Sequence, residues 1–159
     1  MNDSVEVCQG STSEGLGLTR AALVSVIVTT RNSAKTLTAC LESIRQQTHR
    51  NLEVLVVDNF STDSTVEIAR KCADLVIVGG PERTSQVNLG VSRSSGDFIY
   101  WVGSDFVLES KVIEKAVEVA LDEEAVAVII PNLSDPRPSF WSKVRFYERL
   151  TYVGSDEIE

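Results

Sequence analysis

Val24-Ser25-Val26-Ile27-Val28-Thr29-Thr30-Arg31-Asn32 sets the architecture of this chain. With Leu23 before it, its first half reads as a strand over 23–28, short, β-branched and nearly all apolar. That is the pattern of a strand covered on both faces, as in a parallel sheet between helices. The polar Thr-Thr-Arg-Asn run then closes the strand. Asn32 or Ser33 offers an N-cap for a helix that carries Leu37, Cys40, Leu41 and Ile44 on one face.

Downstream the alternation repeats. Residues 52–57 read as a second strand, and Ser61 or Thr62 caps a helix with Val66, Ala69 and Ala73 facing inward. A third strand over 75–78 runs into the turn Gly79-Gly80-Pro81. The spacing predicts a helix over 83–94 with Val87 and Val91 on one side, then a fourth strand over 98–102. A helix from Ser110 carries Val112, Ile113, Ala116, Val117 and Ala120. A fifth strand over 125–130 stops at Pro131, and a last helix lies near 139–150. This order predicts an α/β fold: an open, mostly parallel sheet with helices on both faces.

Composition narrows the function. A chain of 159 residues, 43% apolar and 24% charged, can bury one core without disulfide staples. A net charge of −8 argues against a general nucleic-acid binder. No apolar run approaches the roughly 20 residues that span a bilayer, and no signal peptide is visible, so a cytoplasmic location is expected. Cys8, Cys40 and Cys72 match neither a disulfide framework nor a zinc ligand set, which fits a reducing compartment. The single histidine, His49, reads as a solvated loop residue and not as a member of a catalytic triad. Residues 1–20 read as a flexible tail. Gly15-Leu16-Gly17 within them precedes the first strand, so it is no dinucleotide fingerprint.

Open parallel sheets bind ligands at the carboxyl ends of their strands. There this sequence places Thr29-Thr30-Arg31-Asn32, the run from Asp58 to Asp63, Gly79 to Arg83, and Gly103-Ser104-Asp105. Carboxylates, two arginines and hydroxyls suit a phosphorylated ligand with a sugar and a base. Aspartate accepts from a base N–H or a ribose hydroxyl, arginine contacts phosphate, and a second aspartate can hold a cation between two phosphates. Taken singly, each has a plainer role: Asp58 and Ser61 as helix caps, Arg83 as a solvated helix-start residue, Asp105 as a loop carboxylate.

These motifs, in this order, resemble the nucleotide-sugar glycosyltransferases of GT-A fold, in the large inverting family 2. The opening strand and its loop look like that family's first element. Val57-Asp58-Asn59-Phe60-Ser61-Thr62-Asp63-Ser64-Thr65 resembles its "VDDGSTDGT" signature. The run from Pro81 to Gly90 is similar to "GxxxARNxG", and Gly96 to Asp105 to "GEYILFLDSD". The resemblance covers roughly residues 22–155 and implies a Rossmann-like donor-binding domain over 21–135, with 136–159 opening an acceptor-side region.

By position, the resemblance implies that Thr29 and Arg31 lie in the first nucleoside-contacting loop. It implies that Asp58 reads the pyrimidine base, that Arg83 lies near base and phosphates, and that Ser104 and Asp105 end the Asp-x-Asp element. Asp105 is then the implied ligand of Mg²⁺ or Mn²⁺, which offsets the diphosphate charge. The implied reaction moves a sugar from a UDP- or GDP-linked donor to a glycan or lipid carrier by metal-assisted inverting displacement.

The chain departs from the family at three places. Arg31 stands where an aromatic is common, and Gly103 replaces the first aspartate of Asp-x-Asp. No motif matches the carboxylate that deprotonates the acceptor, and only 54 residues follow Asp105, so the catalytic residue is unassigned and a donor-binding part of a longer enzyme is expected. The aromatic and basic run within 139–152 suits a membrane surface, or a helix that packs on further structure or a second subunit as in a homodimer. The rival from another class is a non-catalytic nucleotide-sugar-binding or interaction module. A receiver domain fails, because Thr29-Thr30 and Pro131 stand where its acidic residues and lysine belong.

Overall fold

The structure, a computed structural model, describes residues 22–133, 135, 137 and 140–150. Four strands, β1 (Val24–Thr30), β2 (Leu52–Asp58), β3 (Leu75–Val78) and β4 (Phe98–Gly103), form one parallel sheet in the order β3-β2-β1-β4. Its helices are α1 (Leu37–Arg45), α2 (Thr65–Cys72), α3 (Arg83–Val91) and α4 (Val112–Asp122), and α5 (Phe140–Leu150) follows. The α/β architecture expected from the alternation is present.

All seven residues of β1 are buried. The strand pairs with β2 from Val24↔Leu52 to Thr30↔Asp58, and with β4 from Val24↔Phe98 to Thr29↔Gly103. One face of the sheet presents Val24, Val26, Val28, Val54, Val56 and Val102. It packs on Leu37, Leu41 and Ile44 of α1, Ala69 of α2, and Ile113 and Val117 of α4. Each fully buried Val, Leu or Ile among them contributes about 1.5–3 kcal/mol. The other face presents Ile27 to α3, where Gly90 lies over it. Right-handed crossovers explain the split. The chain steps from β1 through β2 to β3 over one face, so its return to β4 must pass over the other. Strand order therefore reverses at β1.

Where the structure differs from the sequence reading, the cause is local. α3 buries Gln86 and Gly90, while of the two valines on one side Val87 is half-buried and Val91 exposed. The approach to Ile27 leaves room only for glycine. α1 starts at Leu37, after a turn in which the Ser33 carbonyl accepts the N–H groups of Thr36 and Leu37. α2 starts at Thr65, whose N–H is taken by Asp63, so neither Ser61 nor Thr62 caps it. His49 is 2% exposed, not solvated, with Nε2 2.9 Å from the Ala22 carbonyl oxygen.

The expected fifth strand does not form: among the described residues, 125–130 joins no ladder, and Val126 and Ile129 are exposed. The chain divides into two compact units between Glu124 and Ala125. The apolar run thus falls in a unit whose described residues offer it no strand to pair with, and a lone strand gains no ladder hydrogen bonds. That second unit contains α5, which exposes Phe140, Trp141 and Tyr147. No helix among the described residues is long and apolar enough to cross a membrane.

A Cβ added at Gly90 would sit 2.6 Å from Ile27 Cγ2. Alanine there gains helix propensity worth about 1 kcal/mol but forces overpacking that costs about 1–3 kcal/mol. Gly90→Ala should therefore lower stability in urea denaturation. A stabilised variant would show that α3 does not lie this close to the sheet.

Candidate functional site

The carboxyl ends of β1 and β4 and the first turn of α3 enclose an open cavity of about 270 Å³. Thr29, Thr30, Arg31 and Ser33 line it from the β1 side, Gly103, Ser104 and Asp105 from the β4 side, and Arg83 and Gln86 from α3. It lies where strand order reverses, the place at which an open α/β sheet leaves a crevice for ligands. A larger groove, about 500 Å³, lies between the C-terminal ends of α1 and α2 among Leu41, Arg45, Lys71 and Asp74. It has no such convergence of strand ends.

Buried polar groups fix the cavity walls. The Gln86 carboxamide nitrogen donates to the carbonyl oxygens of Thr30 (3.0 Å) and Val57 (2.7 Å), tying the ends of β1 and β2 together. The turn before α3 closes against it. Gly80 has φ +80°, and a Cβ there would fall 2.8 Å from the Gln86 nitrogen. The Thr29 hydroxyl accepts from Trp101 Nε1 at 3.3 Å, and Ser104 Oγ donates to Ser33 Oγ at 2.8 Å. The Thr30 hydroxyl is buried and has no partner among the described residues. A buried polar atom left in this state costs about 1–3 kcal/mol.

Charge is arranged differently. Arg31 and Arg83 are exposed. The ion pairs among the described residues are Arg45–Asp74 and Arg137–Asp135, so neither cavity arginine is paired with a carboxylate. Asp105 folds back over its own strand end, with Oδ1 2.9 Å from where a Cβ on Gly103 would be. Beneath it, Cys40 Sγ contacts the Gly103 carbonyl oxygen at 3.7 Å. Burial, with the Asp105 charge adding to it, pushes the Cys40 thiol up to about 12.

Of the residues expected at the site, Thr29, Arg31, Arg83, Ser104 and Asp105 are brought together here. Asp58 is not. It is completely buried, and both its oxygens accept from Ser61, one from the N–H at 2.8 Å and one from the hydroxyl. The Ser61 hydroxyl in turn accepts the Asn32 N–H (2.7 Å), and Asn32 Oδ1 accepts the Thr62 N–H (2.8 Å). Asp58 thus braces the loops after β1 and β2 and does not line the cavity. Thr30, Ser33 and Gln86 were missed. Thr30 and Ser33 flank motif residues, whereas Gln86 carries no sequence signal beyond its spacing four residues before Gly90.

A resident Mg²⁺ or Mn²⁺ needs about six oxygen ligands. Among the described residues no group of three or more His, Cys, Asp or Glu is placed to hold a metal. The cavity offers one carboxylate beside two guanidinium groups. That donor set does not hold a cation by protein groups alone, and leaves most of its coordination to ligand phosphates and water.

Known proteins are similar to this chain in sequence and fold. The family model described as glycosyl transferase family 2 matches residues 25–156. Glycosyltransferase GlyG of Streptococcus pneumoniae is 31% identical over 117 residues, covering 67% of this chain and 38% of its own. Putative glycosyltransferase EpsH of Bacillus subtilis is 31% identical over 111 residues, covering 66% of this chain and 32% of its own. This chain therefore spans about a third of the length of these curated relatives. Staphylococcus aureus TarS, solved with UDP-GlcNAc, aligns with a TM-score of 0.57 at 27% identity, over 69% of this chain and 37% of its own.

Two measurements check the geometry. Asp58→Ala strands the Ser61 donors, so unfolding in urea should show a loss of about 2–3 kcal/mol. A loss below about 0.5 kcal/mol, the range of ordinary surface changes, would mean the carboxylate braces nothing. With its pKa raised, Cys40 holds almost no thiolate at pH 8.5, so iodoacetamide should leave it unmodified in the native protein by peptide mass mapping. Ready labelling would contradict its burial under Asp105.

Proposed function

We propose that this chain, which belongs to glycosyl transferase family 2, binds a nucleoside-diphosphate sugar at the ends of β1 and β4. On this reading it supplies the donor side of sugar transfer to a glycan or lipid-linked acceptor. The observation that carries the proposal is the convergence of Arg31, Arg83 and the strand-end hydroxyls, from three separate segments, on one cavity at the point of strand reversal. TarS, solved with UDP and with UDP-GlcNAc at 27% identity, supports a UDP-linked donor, with GDP the alternative base.

The chemistry follows from the parts. Guanidinium groups form paired, charge-assisted hydrogen bonds to phosphate oxygens. When the bond between sugar and diphosphate breaks, negative charge grows on the departing phosphate. Cations already in place then stabilise that state more than the ground state. The carbonyls tied by Gln86 and the hydroxyls of Thr29 and Ser104 set the crevice in which base and ribose lie. Inversion at the anomeric carbon also requires a base for the acceptor hydroxyl, and no cavity residue is assigned that part. The donor region corresponds to 21–135, with the acceptor side beginning in 136–159. There the exposed Phe140, Trp141 and Tyr147, beside Lys143 and Arg145, suit contact with a lipid-linked acceptor at a membrane surface.

Calorimetric titration of the folded chain with UDP-GlcNAc, UDP and GDP tests the proposal. Saturable binding with Kd below about 1 mM, competed by the matching nucleotide and weakened by Arg83→Ala, is expected. No heat with any of the three would overturn it.

A further inference from the structure

The cavity's charged groups are one carboxylate, Asp105, and two guanidiniums, Arg31 and Arg83. A dication held at an Asp-x-Asp element relies on carboxylates to offset its charge and fix it. Here position 103 is a glycine, and the Asp105 carboxylate lies over it, in the space a side chain at 103 would enter. One carboxylate remains, and it is exposed to water. Against it stand Arg31 and Arg83, both on the same cavity and neither held by an acidic partner. Arg31 leaves the end of β1, and Arg83 begins α3, so two elements hold the guanidiniums on one cavity. Unpaired guanidiniums are ready for an anion, because no ion pair has to be broken first.

We propose that this pocket neutralises the diphosphate of its ligand with Arg31 and Arg83, and not with a divalent cation. The proposal rests on the nucleotide-sugar reading above and specifies how that site holds its ligand. Asp105 then acts beside the arginines as a hydrogen-bond acceptor for a ligand hydroxyl, and its charge is not needed to recruit a metal. The assignment also accounts for both departures at the cavity: an arginine at 31 adds a positive charge, and a glycine at 103 removes a negative one.

The test compares UDP and GDP binding to the full chain in EDTA and in Mn²⁺, for the native protein and for Arg31→Ala, Arg31→Lys, Arg83→Ala and Asp105→Asn. These side chains are exposed, and circular dichroism verifies that each variant folds. The expected result is binding in EDTA within about threefold of that in Mn²⁺. Each arginine-to-alanine change should weaken it by about tenfold or more, the scale of one charge-assisted contact. Arg31→Lys should recover part of the loss, because charge is kept while the fork is not. Asp105→Asn should leave the ratio of the two conditions unchanged. Raising salt from 0.05 to 0.5 M should weaken binding of the native protein more than that of Arg31→Ala. Binding that appears only with Mn²⁺, is lost in Asp105→Asn and is indifferent to Arg31→Ala would overturn this proposal while leaving the nucleotide-binding reading intact. Absence of binding under every condition would remove both.

Discussion

The double pairing of β1 is the constraint on which the rest depends. β1 is hydrogen-bonded along its length to β2 on one side and β4 on the other, and it is buried on both faces. Its last residues cannot shift without breaking two ladders. Thr29 and Thr30, at that end, therefore have a fixed position before any ligand arrives. Strand reversal at β1 opens the crevice beside them.

Three ties extend that rigidity into the loops. Gln86 joins the Thr30 and Val57 carbonyls, so α3 is locked to both strand ends. Asp58, through Ser61, braces the loop that carries Arg31 and Asn32. Ser104 and Ser33 join the β4 end to the β1 loop. Each tie uses a buried or half-buried polar group whose loss would strand its partner, which makes the ties costly to break. The arginines are left outside this frame, on exposed side chains. Fixed polar walls with exposed cations suit a ligand whose base and sugar need positioning and whose phosphates need charge.

The sheet was legible because parallel strands buried on both faces announce themselves as short β-branched runs. β1 to β4 fall where residues 23–28, 52–57, 75–78 and 98–102 predicted them, within a residue or two. The run 125–130 has the same composition and forms no strand, because a strand needs a partner as well as a pattern. Apolar spacing also does not mark the inward face of α3, which carries Gln86 and Gly90. A buried glutamine that satisfies two carbonyls and a glycine chosen for close approach leave no hydrophobic trace. The same limit applies to His49, which looked solvated in a polar connector and is enclosed. At the site, strand ends pointed to most of the residues that converge. Asp58 lies outside that lining, bonded to Ser61, and a strand-end carboxylate that faces a ligand and one that braces a turn share one sequence signature.

The central claim, that the crevice at the ends of β1 and β4 receives a nucleoside diphosphate, is tested most directly by amide chemical-shift mapping. Spectra of the isotope-labelled chain would be recorded as UDP is added. The account predicts that shifts concentrate at residues 29–33, 83–86 and 103–105, while the groove around Leu41, Arg45, Lys71 and Asp74 stays silent. Shifts centred on that groove, with the strand ends unmoved, would contradict it.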